Sequence, residues 1–313
     1  MARGNDIVAL VRAALGGERD RVSSISRIIA ANEPENSRLK LSLERILQST
    51  PVSQPMTELL PRDLVNLLLS EQPRLDLSQT VLPESVRDEL EEALEDQAHS
   101  EELHEAGFSA PNKILLSGPP GNGKTTLAGA IARALDRPFF ILDFSAIVSS
   151  HMGETGSKLA KVFRGVSGLP CVILLDEMET LLSERAGQQN TTEVGEVKRI
   201  VSTLLLEIDR LPDHVMLVGA TNHDEMLDRA VVRRFDFHWS LPAPGALTVD
   251  SWRHRFADRH PTIPVLSEMP VPEADGRSLS DIERDAEKWC RRWIINQARQ
   301  STTTARSTAN AHA

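Results

Sequence analysis

The 313-residue chain holds only two cysteines, Cys171 and Cys290. That is too few for a disulfide framework, and no Cys/His group has the spacing of a zinc site. Two reduced thiols in a cytoplasmic protein is the reading that follows. No apolar run approaches the ~18–20 residues that cross a bilayer. The start, Met1–Gly17, lacks the order of a secretory signal: Asp6 precedes its short apolar run, Arg12 interrupts it, and no cleavage site follows. It reads as an amphipathic helix. A basic face is missing too. The net charge is −10, and Glu84–Glu105 alone holds ten acidic residues against Arg87. The rest is close to neutral, so nothing matches the footprint of a nucleic-acid binder. The acidic stretch, with Val86, Leu90 and Leu94, reads as a solvated helix face or, alternatively, an acidic docking surface. Internal repeats, an HExxH motif, and Ser/His/Asp or Cys/His protease patterns are all absent.

What is present is a globular composition, 40% hydrophobic and 26% charged, in a chain long enough for about two domains. Residues 1 to 75 read as helical. Ile7, Val8, Leu10, Val11 and Leu15 mark one helix; Val22, Ile25, Ile28 and Ile29 a second; Leu39, Leu43, Ile46 and Leu47 a third. Pro51, Pro55 and Pro61 follow, then a short helix over Asp63–Leu69. A helix opening at Glu84 is expected to end near Gly107. Short apolar runs then alternate with helical periods. Lys113–Ser117, Phe139–Asp143, Cys171–Leu175, His214–Ala220 and Phe235–Leu241 are strand candidates. Lys124–Leu135, Gly156–Val166 and Val194–Ile208 are the intervening helices. Such alternation predicts a parallel sheet covered on both faces. A last helix over Leu279–Gln297 carries Trp289 and Trp293, read as core packing rather than ligand stacking. The Ser/Thr/Ala-rich end from Ser301 reads as disordered.

Four motifs carry the chemistry. Gly118-Pro119-Pro120-Gly121-Asn122-Gly123-Lys124-Thr125 fits G-x-x-x-x-G-K-[ST] between a strand and a helix. Small residues let main-chain N–H groups close around phosphates, and the helix N-terminus adds partial positive charge. Lys124 would neutralise the β- and γ-phosphates, Thr125 would offer its hydroxyl to Mg2+, and Thr126 continues the site into the helix. Second, Val172–Leu175 runs into Asp176 and Glu177, which places two carboxylates at the C-terminal edge of a buried strand, where ligands collect in such sheets. Asp176 would hold Mg2+ through its water shell, and Glu177 would act as general base or orient the attacking water. Third, Val218-Gly219-Ala220-Thr221-Asn222 ends another strand, and Asn222 could hydrogen-bond the attacking water or the γ-phosphate. Fourth, Arg233 and Arg234 are a solvated pair, or could reach a nucleotide on a neighbouring subunit.

In this order and spacing, GPPGNGKT, ILLDE, GATN and RRFD resemble the AAA+ ATPase family and its AAA modules. The resemblance spans Leu82 to Gln297, and Gly276–Ile282 is similar to the lid segment that opens the family's last helix. It implies a P-loop NTPase α/β fold with a five-stranded parallel sheet and a C-terminal helical lid. Residues 1–75 would be an N-terminal helical module, 76–242 the ATP-binding α/β domain, 243–300 the lid and 301–313 a disordered tail. It further implies ATP and Mg2+ as cofactors, and a hexameric ring with ATP between subunits. Lys124, Thr125, Asp176, Glu177 and Asn222 would act in cis, and Arg233 and Arg234 on the neighbour. His151-Met152-Gly153 is similar to the loop that grips polypeptide in the family's pore, although His151 stands where an aromatic is usual. The expected function is remodelling or unfolding of a protein substrate. The alternative is an ATP-dependent switch controlling a separate effector, such as a subtilisin-like serine protease in a bacterial defence or plasmid-maintenance module. A nucleic-acid motor is disfavoured by charge.

Overall fold

Five-residue apolar runs with no polar face can only be stable where both sides are covered. The run Cys171–Leu175 is buried at every position, as is Val215–Thr221. These two strands form the centre of the sheet, with most apolar side chains there contributing ~1.5–3 kcal/mol on leaving water. The computed structural model describes residues 64, 66–143, 147, 155–179 and 191–311, with the backbone alone at 191–198 and 300–311. The chain divides between Glu58 and Leu59, and every described residue lies in the second unit. The three helices expected before residue 50 lie outside the described residues.

Six strands make one sheet: β1 (Leu68–Ser70), β2 (Lys113–Ser117), β3 (Phe139–Leu142), β4 (Cys171–Leu175), β5 (Val215–Thr221) and β6 (Phe237–Ser240). Their order is β1-β3-β4-β5-β2-β6. The five strands β2 to β6 are mutually parallel where they pair. β1 runs antiparallel to β3, with Leu68 opposite Leu142. The expected five-stranded parallel sheet therefore gains an antiparallel edge. The short helix expected over 63–69 is replaced there by a strand at Leu68–Ser70, because a run of three leucines suits either structure and the open donors and acceptors of β3 claim it. Residues 68–70 thus belong to the sheet rather than to a helical module.

Helices cover both faces. α1 (Glu84–Ala98) and α2 (Ser100–Glu105) are separate, since the chain leaves helical geometry at His99; a positive φ of 86° at Gly107 then turns it toward β2. α3 (Lys124–Ala134) follows β2, α4 (Thr155–Val166) follows β3, and α5 (Thr191–Asp209) follows β4. One core joins Val86 and Leu90 of α1, Leu127 and Ile131 of α3, and the inner residues of β2, β4, β5 and β6. Trp239 of β6 is buried there and donates its Nε1–H to Glu89 at 2.8 Å, so its one polar atom is satisfied.

After β5 come the short α6 (Arg229–Val232) and β6, then three helices: α7 (Ala246–Arg259), α8 (Val265–Glu268) and α9 (Leu279–Ala311). They close on their own small core of Val249, Trp252, Phe256, Val265, Met269, Ile282, Ala286 and Cys290. Trp252 stacks on Phe256 with ring centroids 5.0 Å apart. Trp289 packs against this core, while Trp293 donates to Glu268 at 2.8 Å. α9 runs to Ala311, past the expected end at Gln297 and through the stretch expected to be disordered. No Gly or Pro interrupts it, and its Ala, Arg and Gln residues favour helix enough to carry the Ser/Thr run. Cys171 and Cys290 are buried and unpaired, and burial pushes the Cys171 thiol up to about 12, Arg137 opposing. Among the described residues, no helix is long and apolar enough to cross a membrane.

Candidate active site

The C-terminal ends of β2, β4 and β5 lie side by side in the sheet, so the residues that follow each strand meet at one edge. From β2 the chain enters the loop 118–123. Gly118 sits at φ 136°, and a side chain there would collide with the main-chain carbonyl of Leu241, so only glycine fits. Gly121, at φ 76°, leaves no room either: a Cβ would lie 2.7 Å from Ser278 Oγ in the lid. Gly123, also at positive φ, is the N-cap of α3, whose first turn holds Lys124, Thr125 and the exposed Thr126.

Lys124 is 6% exposed. Its Nζ donates to the carbonyls of Gly118 at 2.6 Å and Pro119 at 3.1 Å, and to Asn222 Oδ1 at 2.8 Å. Burial holds its pKa below the ordinary lysine value, with Asp176 and Glu179 pulling the other way. The ammonium is thus held inside the loop by two of its carbonyls and by Asn222. Beside it, Thr125 Oγ1 donates to Asp176 Oδ2 at 2.8 Å, while Asp176 Oδ1 accepts from the Glu177 amide at 2.9 Å. Glu177 is exposed and left-handed, at φ 52°. That conformation costs a non-glycine residue ~1–2 kcal/mol. It is held because Met178 re-enters the sheet, its amide donating to Ala220 at 3.0 Å.

Asn222 is half-buried at the end of β5. Its amide N–H and its Nδ2 both donate to Glu179 Oε1, at 3.2 and 2.9 Å, and Thr221 Oγ1 donates to Glu179 Oε2 at 2.8 Å. Burial raises the Glu179 pKa, but the hydrogen bonds from its own backbone, Thr221 and Asn222 outweigh that and hold the carboxyl below the usual range. Glu179 was absent from the sequence-derived site. The signal available was a third carboxylate three residues beyond Asp176, which reads as a loop acid until β4 and β5 are known to be neighbours.

The lid closes one side. Ser280 donates to the Gly121 carbonyl through both its amide and its hydroxyl, each at 3.0 Å, and the Leu279 amide donates to Asn122 Oδ1 at 3.2 Å. Asn122 Nδ2 is buried without a hydrogen-bond acceptor. Between loop and lid lies a cleft of about 450 Å³ lined by Pro119, Pro120, Arg277, Ser278 and Arg284 among others. That volume lies within the range of small-molecule sites.

The structure therefore brings together Gly118–Thr126, Asp176, Glu177 and Asn222. It does not bring in the arginines. Arg234 pairs with Asp209 at 3.2 Å and donates to the Ala230 carbonyl at 2.7 Å; Arg233 is exposed, its side chain making no hydrogen bond or ion pair among the described residues. His151, Met152 and Gly153 lie outside the described residues.

Known proteins resemble this chain over the segment that holds these residues. Residues 114–243 fit the model of the ATPase family associated with various cellular activities (AAA). An uncharacterized AAA family ATPase of Sinorhizobium fredii is 29% identical over 314 residues, covering 96% of this chain and 92% of that protein. Cell division protein C of Sulfolobus acidocaldarius is 34% identical over 181 residues, 54% of this chain and 46% of its own length. The peroxisomal ATPase PEX6 of Komagataella pastoris is 38% identical over 159 residues, 48% of this chain and 14% of its own. The match covers less than half of each of the last two. The loop, the carboxylate pair and the asparagine thus sit in a module of the AAA ATPase family, whose activity is ATP hydrolysis.

Proposed function

We propose that this chain assembles into a ring, a hexamer by the family resemblance, that hydrolyses ATP between subunits and uses the cycle to remodel or unfold a protein. One observation carries the interface: the cis groups are interlocked around Lys124, while Arg233 and Arg234 lie outside that cluster. Closed oligomers place such surface groups against the next protomer's site. In this reading the loop amides and Lys124 bind the β- and γ-phosphates, and a water attacks the γ-phosphorus. Glu177 takes the water's proton as the bond to the β,γ-bridging oxygen breaks and ADP leaves. The arginines of the neighbour stabilise charge on the transferring group. Mg2+ suits the Thr125–Asp176 pair: both present hard oxygen donors, and the ion needs few protein ligands. Bound with ATP, it would draw charge from the phosphoryl oxygens. Relatives named for peroxisomes and for cell division share the module, which favours a common motor acting on different proteins.

Glu177→Gln tests the assembly. It is expected to bind ATP with wild-type affinity, to hydrolyse it ~10²-fold or more slowly, and to accumulate as a ring of six by mass photometry with Mg2+ and ATP. A species that stays monomeric at saturating ATP would remove the ring. The second reading, an ATP-driven switch on a separate effector, is favoured by His151 in the gripping loop. Met152→Ala separates the two: it spares ATPase activity and stops substrate processing only if the pore threads polypeptide.

A further inference from the structure

An asparagine carboxamide can sit in two orientations of nearly the same shape, and which atom points where decides its chemistry. At Asn222 the neighbours leave one choice. The group on one side is the Lys124 ammonium, which carries donors only; the group on the other is the Glu179 carboxylate, which when ionised carries acceptors only. Oδ1 therefore faces Lys124 at 2.8 Å and Nδ2 faces Glu179 at 2.9 Å. A flip would set N–H against ammonium and oxygen against carboxylate, two repulsive contacts in a half-buried site.

We infer that Glu179 is a positioning residue that holds Asn222 with its oxygen toward the phosphate end of the site and its nitrogen turned away. The carboxylate is itself immobilised. Its second oxygen accepts from Thr221, a fully buried residue of β5, and its first also takes the Asn222 main-chain amide. Placement comes from the sheet: beyond β4, Met178 pairs with Ala220, so Glu179 arrives beside Thr221 and Asn222 in the next strand. The consequence sharpens the proposed role of Asn222, on which this inference rests. Phosphate oxygens accept and do not donate, so an oxygen presented to them is repelled. What Asn222 can do from this orientation is accept a hydrogen bond from the attacking water and so aim the water's lone pair at phosphorus, while the proton that leaves goes to Glu177. Of the two roles the sequence leaves open, water orientation is the one this geometry allows.

The test uses near-isosteric variants, so that the fold is kept, and reads kcat, ATP affinity and melting temperature on the full chain. Glu179→Gln keeps one acceptor for Asn222 and should lower kcat about threefold, with ATP affinity within about twofold. Asn222→Asp sets two carboxylates against each other and should lower kcat about tenfold or more. Combining them restores a donor–acceptor pair, because the carboxamide that replaces the Glu179 carboxylate can donate to the new acid. E179Q should then raise the kcat of N222D about threefold or more, the reverse of its effect on the wild type. An equal slowing by E179Q in both backgrounds would show that Glu179 does not act through Asn222. A wild-type kcat in N222D alone would instead remove Asn222 from the reaction, and the inference with it. Melting temperatures within a few degrees across the four proteins are expected; an effect on kcat that tracks melting would mark a structural role and overturn the assignment.

Discussion

The cluster around Lys124 and the arginine pair ahead of β6 are built in opposite ways. Around Lys124 two hydrogen-bonded sets lie side by side, the ammonium with Asn222 and Glu179, and the Thr125 hydroxyl with Asp176, held by bonds of 2.6 to 3.2 Å within one chain. Of Arg233 and Arg234, only Arg234 is tied among the described residues, through a half-exposed pair with Asp209 and one carbonyl. Groups bound into a network are pre-organised and act where they stand. Groups left outward are free to change partner. Under the proposed ring, the contrast would separate what a subunit does alone, holding nucleotide, from what it does beside another copy.

Three variants press on that difference, in falling order of expected effect. Replacing both arginines by alanine should lower kcat by ~10³-fold or more, the scale known for a trans arginine. Folding stability should fall by no more than ~1 kcal/mol, because the Arg234–Asp209 pair is a surface one. Steady-state ATPase assays and urea unfolding of the same preparation read both; a large stability loss would make the pair structural. Lys124→Ala removes a charged donor from the interlocked cluster and should weaken ATP binding ~10–100-fold in a fluorescent-nucleotide titration. Affinity within a factor of two would mean the ammonium does not face the phosphates. Glu177→Gly relieves the left-handed backbone at that position and should stabilise the chain by ~1 kcal/mol in urea unfolding. A loss of stability would show that Glu177 makes contacts its exposure hides.

Contiguous features were legible in the sequence. The boundaries of β2 and β4 match the expected Lys113–Ser117 and Cys171–Leu175, because a run of buried apolar residues bounded by polar or loop residues admits little else. The loop that joins β2 to α3 was legible because its pattern lies in eight consecutive residues. What depends on strand order was not. Glu179 acquires partners only when β5 lies beside β4, and β1 exists only because β3 offers an edge. The extension of α9 through a Ser/Thr-rich stretch was hidden for a different reason, composition outweighed by the absence of a helix breaker.

The central claim is that a catalytic site is completed by the neighbouring subunit. Glu177→Gln keeps both arginines but hydrolyses ~10²-fold or more slowly; the double arginine variant keeps an intact cluster but lacks the groups supplied to its neighbour. Mixed in equal amounts and allowed to exchange, the two impaired proteins should recover up to about a quarter of wild-type turnover, the share of interfaces pairing an intact cluster with intact arginines. A mixture as slow as its parts, with co-assembly shown by mass, would contradict it.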